Sequence, residues 1–222
     1  MLKKIFTLFL LLLNTSFYLY SFDINNKIAD TPSIDGLRKT AKRIEYKLNK
    51  YEKNDEEYLS AISDYHAVFD LPLCSLAKVI SDHENGDKVF KRLVETSDLN
   101  PNDDLSVPHR QRVYNSAKFM GVGADYIYTT IVDVEKYTED VFIMSWKLVS
   151  CEIGNFESYN GFWYLKKLDP DKDGHCRTYV RLYAETVFNN VIPMQDVVMN
   201  MFTDSETRDV FRSLYKYTNE NE

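Results

Sequence analysis

Apolar and polar positions along this chain change period several times, and each change predicts an element. The opening stretch, MLKKIFTLFLLLLNTSFYLYSF, sets Lys3 and Lys4 before an apolar run from Ile5 to Leu13, followed by Asn14, Thr15 and Ser16. That order is the order of a secretory signal peptide, expected to span residues 1–21. The apolar core is shorter than the ~20 residues a spanning helix needs. A second apolar patch, Phe17 to Phe22, makes an N-terminal membrane anchor the alternative. From Thr31, a candidate N-cap followed by Pro32, the residues Ile34, Leu37, Ala41, Ile44, Leu48 and Tyr51 recur at steps of three and four. This spacing predicts an amphipathic helix over 31–51 within an N-terminal segment 22–55. Its other face carries Arg38, Lys39, Lys42, Arg43, Lys47 and Lys50. A helix of this kind packs on a domain with its charges in water, or touches an anionic membrane.

Residues 56–222 read as one domain. YLSAISDYHAVFD is rich in β-branched and aromatic residues and predicts a strand; LPLCSLAKVISDHE has Leu76, Val79 and Ile80 at helical spacing. GDKVFKRLVETSD leads back to extended chain, and NPNDDLSVP is a polar turn. Five strands follow: RQRVYNSAKF, DYIYTTIVDVE, VFIMSWKLVS, GFWYLKKL and RTYVRLYAETVF. Their short connections require antiparallel neighbours. The chain closes with IPMQDVVMNMFTDSETRDVFRSLYKY, a long helix behind Pro193. This order predicts an α+β domain in which a curved antiparallel sheet grips a C-terminal helix.

Strand alternation selects the inward face. Tyr128, Thr130 and Val132 share a side with Tyr126; Met144, Trp146 and Leu148 with Phe142; Val180, Leu182 and Ala184 oppose Arg181 and Glu185; Trp163 and Leu165 join them. Met194, Val197, Val198, Met201 and Phe202 of the last helix would cover this surface, and methionine adapts to a variable ligand.

Composition narrows the function classes. The 222 residues carry 27 Lys and Arg against 34 Asp and Glu, a formal charge of −7 without a basic stripe, so a nucleic-acid partner is not expected. Cys74, Cys151 and Cys176 are too few and odd in number for a disulfide framework, although one pair could form in an oxidising compartment. Cys151 and Cys176 fall at opposite ends of a meander, so free thiols are expected at both.

LDPDKDGHCR, residues 168–177, has the D-x-D-x-D-G spacing that opens a calcium loop of the EF-hand type. The twelfth position from Asp169 is Val180, where a bidentate carboxylate would be needed, and both flanks read as strands. A β-hairpin loop is the expectation, and no metal site. His66, His83, His109 and His175 show no metal-ligand spacing and no adjacent nucleophile, so they are expected in surface or turn positions. No catalytic residue and no cofactor are expected.

AVFDLPLCSLAKVISDHE is similar to the opening of START-like domains, the superfamily that includes polyketide cyclases and coenzyme-Q-binding proteins. GFWYLKKLDPDKDGHCRTYVRLYAE, with Gly161 and Trp163, resembles its penultimate hairpin, and VIPMQDVVMNMF its last helix. In FMGVGADYIY the chain departs from several lipid-transfer members, having Ala124 where they carry an Arg before the acid. The resemblance, over about residues 57–217, implies a helix-grip fold with an apolar cavity. It implies non-catalytic binding or transport of a lipid, isoprenoid or other hydrophobic small molecule. The expected ligand-binding residues are Tyr128, Thr130, Met144, Trp146, Trp163, Leu165, Val180, Leu182, Ala184, Met194, Val198 and Met201. The alternatives are a cyclase- or hydrolase-type enzyme using the same cavity and a filled-core protein-interaction module. The signal predicts a secreted or periplasmic location.

Overall fold

Two residues turn the first hairpin of the sheet. Asn54 and Asp55 hold φ of 55° and 62°, the paired left-handed conformations of a two-residue hairpin loop, which Asn and Asp tolerate. They join strand β1 (Lys42–Lys53) to β2 (Glu56–Phe69), with Lys53 opposite Glu56 and Leu48 opposite Ala61. The helix expected over 31–51 is therefore corrected: among the described residues, 33–41 form turns and bends and Lys42–Tyr51 lie in β1, so the domain includes residues before Glu56. Tyr46 and Leu48 alternate toward the interior while Lys47 and Asn49 stay exposed. A period of two wins over the helical spacing because β2 offers β1 a partner for its backbone groups, and an isolated helix gains most of its stability from packing.

The computed structural model describes residues 23–29, 33–100, 104–119, 122–191 and 193–221, with the backbone alone at 117–119, 122–123 and 201–202. The expected signal peptide, the anchor alternative and part of the 100–108 turn lie outside the described residues. The chain divides into two compact units, the second running from Ser33 to Glu222. In the first, helix α1 spans Ile24–Ala29. No described helix is long and apolar enough to cross a membrane.

In the second unit, β2 leads through Pro72 into α2 (Leu73–Ser81), then a single helical turn α3 (Gly86–Val89) and the short strand β3 (Leu93–Asp98). A meander follows: β4 (His109–Phe119), β5 (Val122–Tyr137), β6 (Val141–Ile153), β7 (Phe156–Leu168) and β8 (Arg177–Asn189). The eight strands form one antiparallel sheet in the order β1-β2-β8-β7-β6-β5-β4-β3. Helix α4 (Gln195–Glu220) packs on β1, β2, α2 and α3. The sheet is curved, and the arrangement is the predicted helix grip.

The core is split. One cluster gathers Phe69, Leu76, Phe142, Leu165, Val180 and Leu214, where α2 and the second half of α4 meet the sheet. A second, aromatic cluster holds Leu59, Val113, Tyr126, Tyr128 and Phe188 near the opposite strand ends. The covering residues of α4 are Met199, Val210, Phe211, Leu214 and Tyr215. The expected lid is corrected accordingly: Met194 and Val197 are 64 % and 43 % exposed.

Candidate functional site

A cavity of about 520 Å³ reaches both core clusters. Tyr128 and Thr130 of β5, Met144 and Trp146 of β6, Trp163 of β7 and Leu182 of β8 line it. Leu165 and Val180, expected there too, are instead fully buried in the first cluster. Phe211 and Leu214 of α4 are buried in the same cluster. Ala184 and Val198 are half-buried outside the lining, Met194 points away, and the side chain of Met201 lies outside what is described.

The lining is less apolar than strand alternation alone predicts. His83, Gln111 and Asn115 reach it from the α2–α3 link and β4. Among the described residues, two lining side chains keep a buried polar atom without a hydrogen-bond partner, His83 Nε2 and Asn115 Oδ1, while the Trp146 indole N–H is turned toward the Tyr159 hydroxyl. Each such atom costs about 1–3 kcal/mol while it stays unpaired. Burial pushes the phenol of Tyr159 up to about 12 and raises that of Tyr128 well above its ordinary value, so both hydroxyls stay protonated beside this group. The Trp146 ring lies against Tyr159, with centroids 5.7 Å apart.

Charges collect on one side of the cavity. Arg92, just before β3, donates from Nε to Glu206 Oε2 of α4 at 2.6 Å, and its Nη2 donates to the other carboxylate oxygen. Both side chains line the cavity and are about one-third exposed. Glu206 holds the Arg92 guanidinium above its ordinary value. The ion pair thus ties the α3–β3 link to α4 across one wall.

Three of the four histidines depart from their expected surface or turn positions, while His175 stands exposed in the β7–β8 turn as expected. His109 Nδ1 lies 2.8 Å from Asp98 Oδ2, with both side chains under one-tenth exposed, and its ring centroid is 5.5 Å from that of His83. Burial, and then the neighbouring His109, pushes the His83 imidazole below its ordinary value. An unprotonated base therefore lines the cavity. His66 is buried on the other face of the sheet. Its Nε2 meets Asp64 Oδ1 at 2.7 Å, and its Nδ1 meets the Tyr179 hydroxyl at 2.8 Å. Arg181, read from sequence only as opposing the inward face, is buried and donates to both Asp64 oxygens at 2.9 and 2.8 Å. Burial alone would raise the Asp64 carboxyl, but the hydrogen bonds from His66 and Arg181 outweigh it and leave it below its ordinary value.

The acidic loop between β7 and β8 is built as a hairpin turn. The Asp171 carboxylate accepts hydrogen bonds from the backbone N–H groups of Asp173 and His175. Gly174 takes the positive φ of 83° that the turn requires. Asp171, Asp173 and His175 place their ligand atoms within 4.8 Å of one another. Asp171 already spends its oxygens on the turn, and strands on both sides set the loop apart from a helix–loop–helix calcium site.

No protein-family model and no curated protein sequence matches the chain. Solved structures do. Human StAR-related lipid transfer protein 5 is similar with a TM-score of 0.58 and 13% identity, over 79% of this chain and 86% of that one. A STAR-related lipid transfer protein from Xanthomonas axonopodis gives a TM-score of 0.57 and 13% identity, covering 78% and 98%. The Zhui aromatase/cyclase from Streptomyces gives a TM-score of 0.54 and 9% identity, covering 72% and 94%. From β1 to α4, then, the chain carries the START-like helix-grip fold.

Proposed function

We propose that this protein binds and carries a neutral hydrophobic molecule, a lipid or isoprenoid bearing hydroxyl or carbonyl oxygens, in the cavity between the sheet and α4. One observation carries the reading: a cavity of about 520 Å³ whose lining holds two unpaired buried polar atoms, His83 Nε2 and Asn115 Oδ1. Apolar burial supplies affinity at about 25 cal/mol per Å², and the unpaired amide oxygen and imidazole nitrogen reward a ligand with a hydroxyl group over a bare hydrocarbon. Arg92 and Glu206, which both line the cavity, are paired with each other and need no counter-charge from the cargo, and Asp82, Lys91 and Asp209 complete the charged part of the lining. The lipid-transfer proteins of similar fold support the reading by analogy. Export through the N-terminal segment, to the periplasm or the outside, and brief membrane contact during exchange belong to the same proposal. N-terminal sequencing of mature protein, expected to begin after Ser21, tests the export step.

Native mass spectrometry of protein purified from its own host, with organic extraction of the adduct, tests the carrier reading. A defined adduct of several hundred daltons is expected. A protein that stays bare after incubation with mixed lipids would favour a protein-interaction module instead. His83 favours a second reading, an enzyme using the same cavity, since it is an unprotonated base in the lining. The two readings part on the recovered ligand. A cargo is returned unchanged, whereas a substrate is converted to a product of altered mass, and a His83→Gln protein would not convert it.

A further inference from the structure

Asp98, His109 and His83 form a chain of titratable groups that ends at the cavity wall. Asp98 closes β3 and His109 opens β4, and the register sets Asp98 opposite Gln111, which lines the cavity. Asp98, His109 and Gln111 therefore share the inward face of the sheet. The Asp98 carboxylate meets His109 Nδ1 at 2.8 Å, and the centroids of the His109 and His83 rings are 5.5 Å apart. Both imidazoles are under one-tenth exposed, and each keeps a buried Nε2 without a hydrogen-bond partner. Of the two, His83 lines the cavity.

The two rings differ in how they meet a proton. A charge on His109 is answered in contact by Asp98. A charge on His83 has only Asp98 and Asp82 attracting it from a distance, and burial and His109 outweigh them. The rest of the lining offers it little: Arg92 and Glu206 answer each other, Lys91 repels a further cation, and Asp209 reaches the cavity from α4. Tyr128 and Tyr159 stay neutral. Water solvates an imidazolium in an open cavity. A neutral cargo expels that water and a single hydroxyl does not replace it, so charging the wall and filling the cavity oppose each other.

We propose that His83 is an acid-operated release switch: a proton taken up on its imidazole lowers the affinity of the cavity for its cargo, and the Asp98–His109 pair behind it sets the pH at which this happens. The inference rests on the carrier reading and adds how the cargo is let go. By linkage, filling the cavity holds His83 unprotonated to lower pH, so binding is strongest above the ordinary histidine value and weakens as pH falls, with a proton expelled on binding at the acid end.

The test titrates the full chain with pyrenebutanol, a neutral fluorescent hydrophobe with one hydroxyl, from about pH 7.5 down to about pH 4.5, while circular dichroism follows the sheet. Affinity should hold in the upper range and fall by at least ~tenfold below the ordinary histidine value of 6.5. Calorimetry in buffers of different ionisation heat should count up to about one proton expelled per probe bound at the acid end. In His83→Gln the affinity, whatever its level, should lose this pH dependence. In His109→Gln, where Asp98 is left facing His83 without its partner, the fall should begin at higher pH. Affinity that is independent of pH with the sheet intact, an equal fall in His83→Gln, or binding that expels no proton would each overturn the switch and leave the carrier standing. A probe that fails to bind even at the upper end would instead overturn the carrier reading, and the switch with it.

Discussion

At the scale of single residues, the cavity depends on a position with no side chain. A Cβ at Gly161 would stand 2.1 Å from the Trp146 ring and 2.5 Å from the Tyr183 carbonyl. The carbonyl belongs to the neighbouring strand, so the strand must shift as well as the ring. Gly161→Ala should therefore cost about 1–3 kcal/mol by overpacking and push Trp146 into the cavity. A lowered urea midpoint together with lost ligand in native mass spectrometry checks this; retained ligand would count against the assigned role of Trp146. Titration gives a second residue-level test. His83 in the folded protein resists protonation below its ordinary value of 6.5, so between the folded and ordinary values the unfolded chain binds a proton that the folded chain refuses. The stability linked to this group is complete above 6.5 and is lost as pH falls. The groups facing it are His109, Asp98 and Asp82. Urea unfolding as a function of pH should be flatter for His83→Gln than for the parent through this window. Strand alternation could place Tyr128, Thr130, Met144, Trp146, Trp163 and Leu182, because a period of two is local. It could not place His83 or Asn115, whose positions depend on how α2, α3 and β4 fold over the sheet.

Among the elements, β1 and α4 show where periodicity misleads. The stripe Ile44, Leu48 and Tyr51 satisfies a helical period, yet Tyr46 and Leu48 equally satisfy a strand. The deciding signal is the Asn54–Asp55 dipeptide between two runs, the mark of a two-residue hairpin loop. In α4, length and starting point were legible from Pro193 onward, but the inward face lies one to three turns later than expected. The helix has enough polar residues on every side that only its partners on α2 and the sheet select the buried face. One of those polar residues supplies a prediction. The Arg92–Glu206 pair joins the α3–β3 link to α4 beside the cavity, and it is partly exposed, so its worth to stability is at most ~1 kcal/mol. Arg92→Gln should hardly move the melting midpoint yet release bound ligand severalfold faster, as measured by transfer of the recovered cargo to acceptor vesicles. Unchanged release would mean that α4 does not open along this wall.

For the whole molecule, an eight-stranded open sheet leaves two edges, β1 and β3. An edge presents unpaired backbone groups to any other chain, and natural sheets blunt it with short strands or lysines. β3 is six residues long. β1 is twelve, and Lys42, Arg43, Lys47, Lys50 and Lys53 all stand exposed along it. The basic face that resembles a solvated helix side is therefore better explained as protection of a long edge. Replacing Arg43, Lys47 and Lys53 together by Val separates this account from one based on overall charge. Each replacement removes a positive charge from a chain already at −7, so if net repulsion kept the protein apart, the variant would be the more soluble of the two. If the lysines guard the edge, the variant should instead associate as its concentration rises. Light scattering after size exclusion reads the result, and circular dichroism should show the sheet intact. A variant that remains monomeric at every concentration would remove edge protection as the reason for this basic strand.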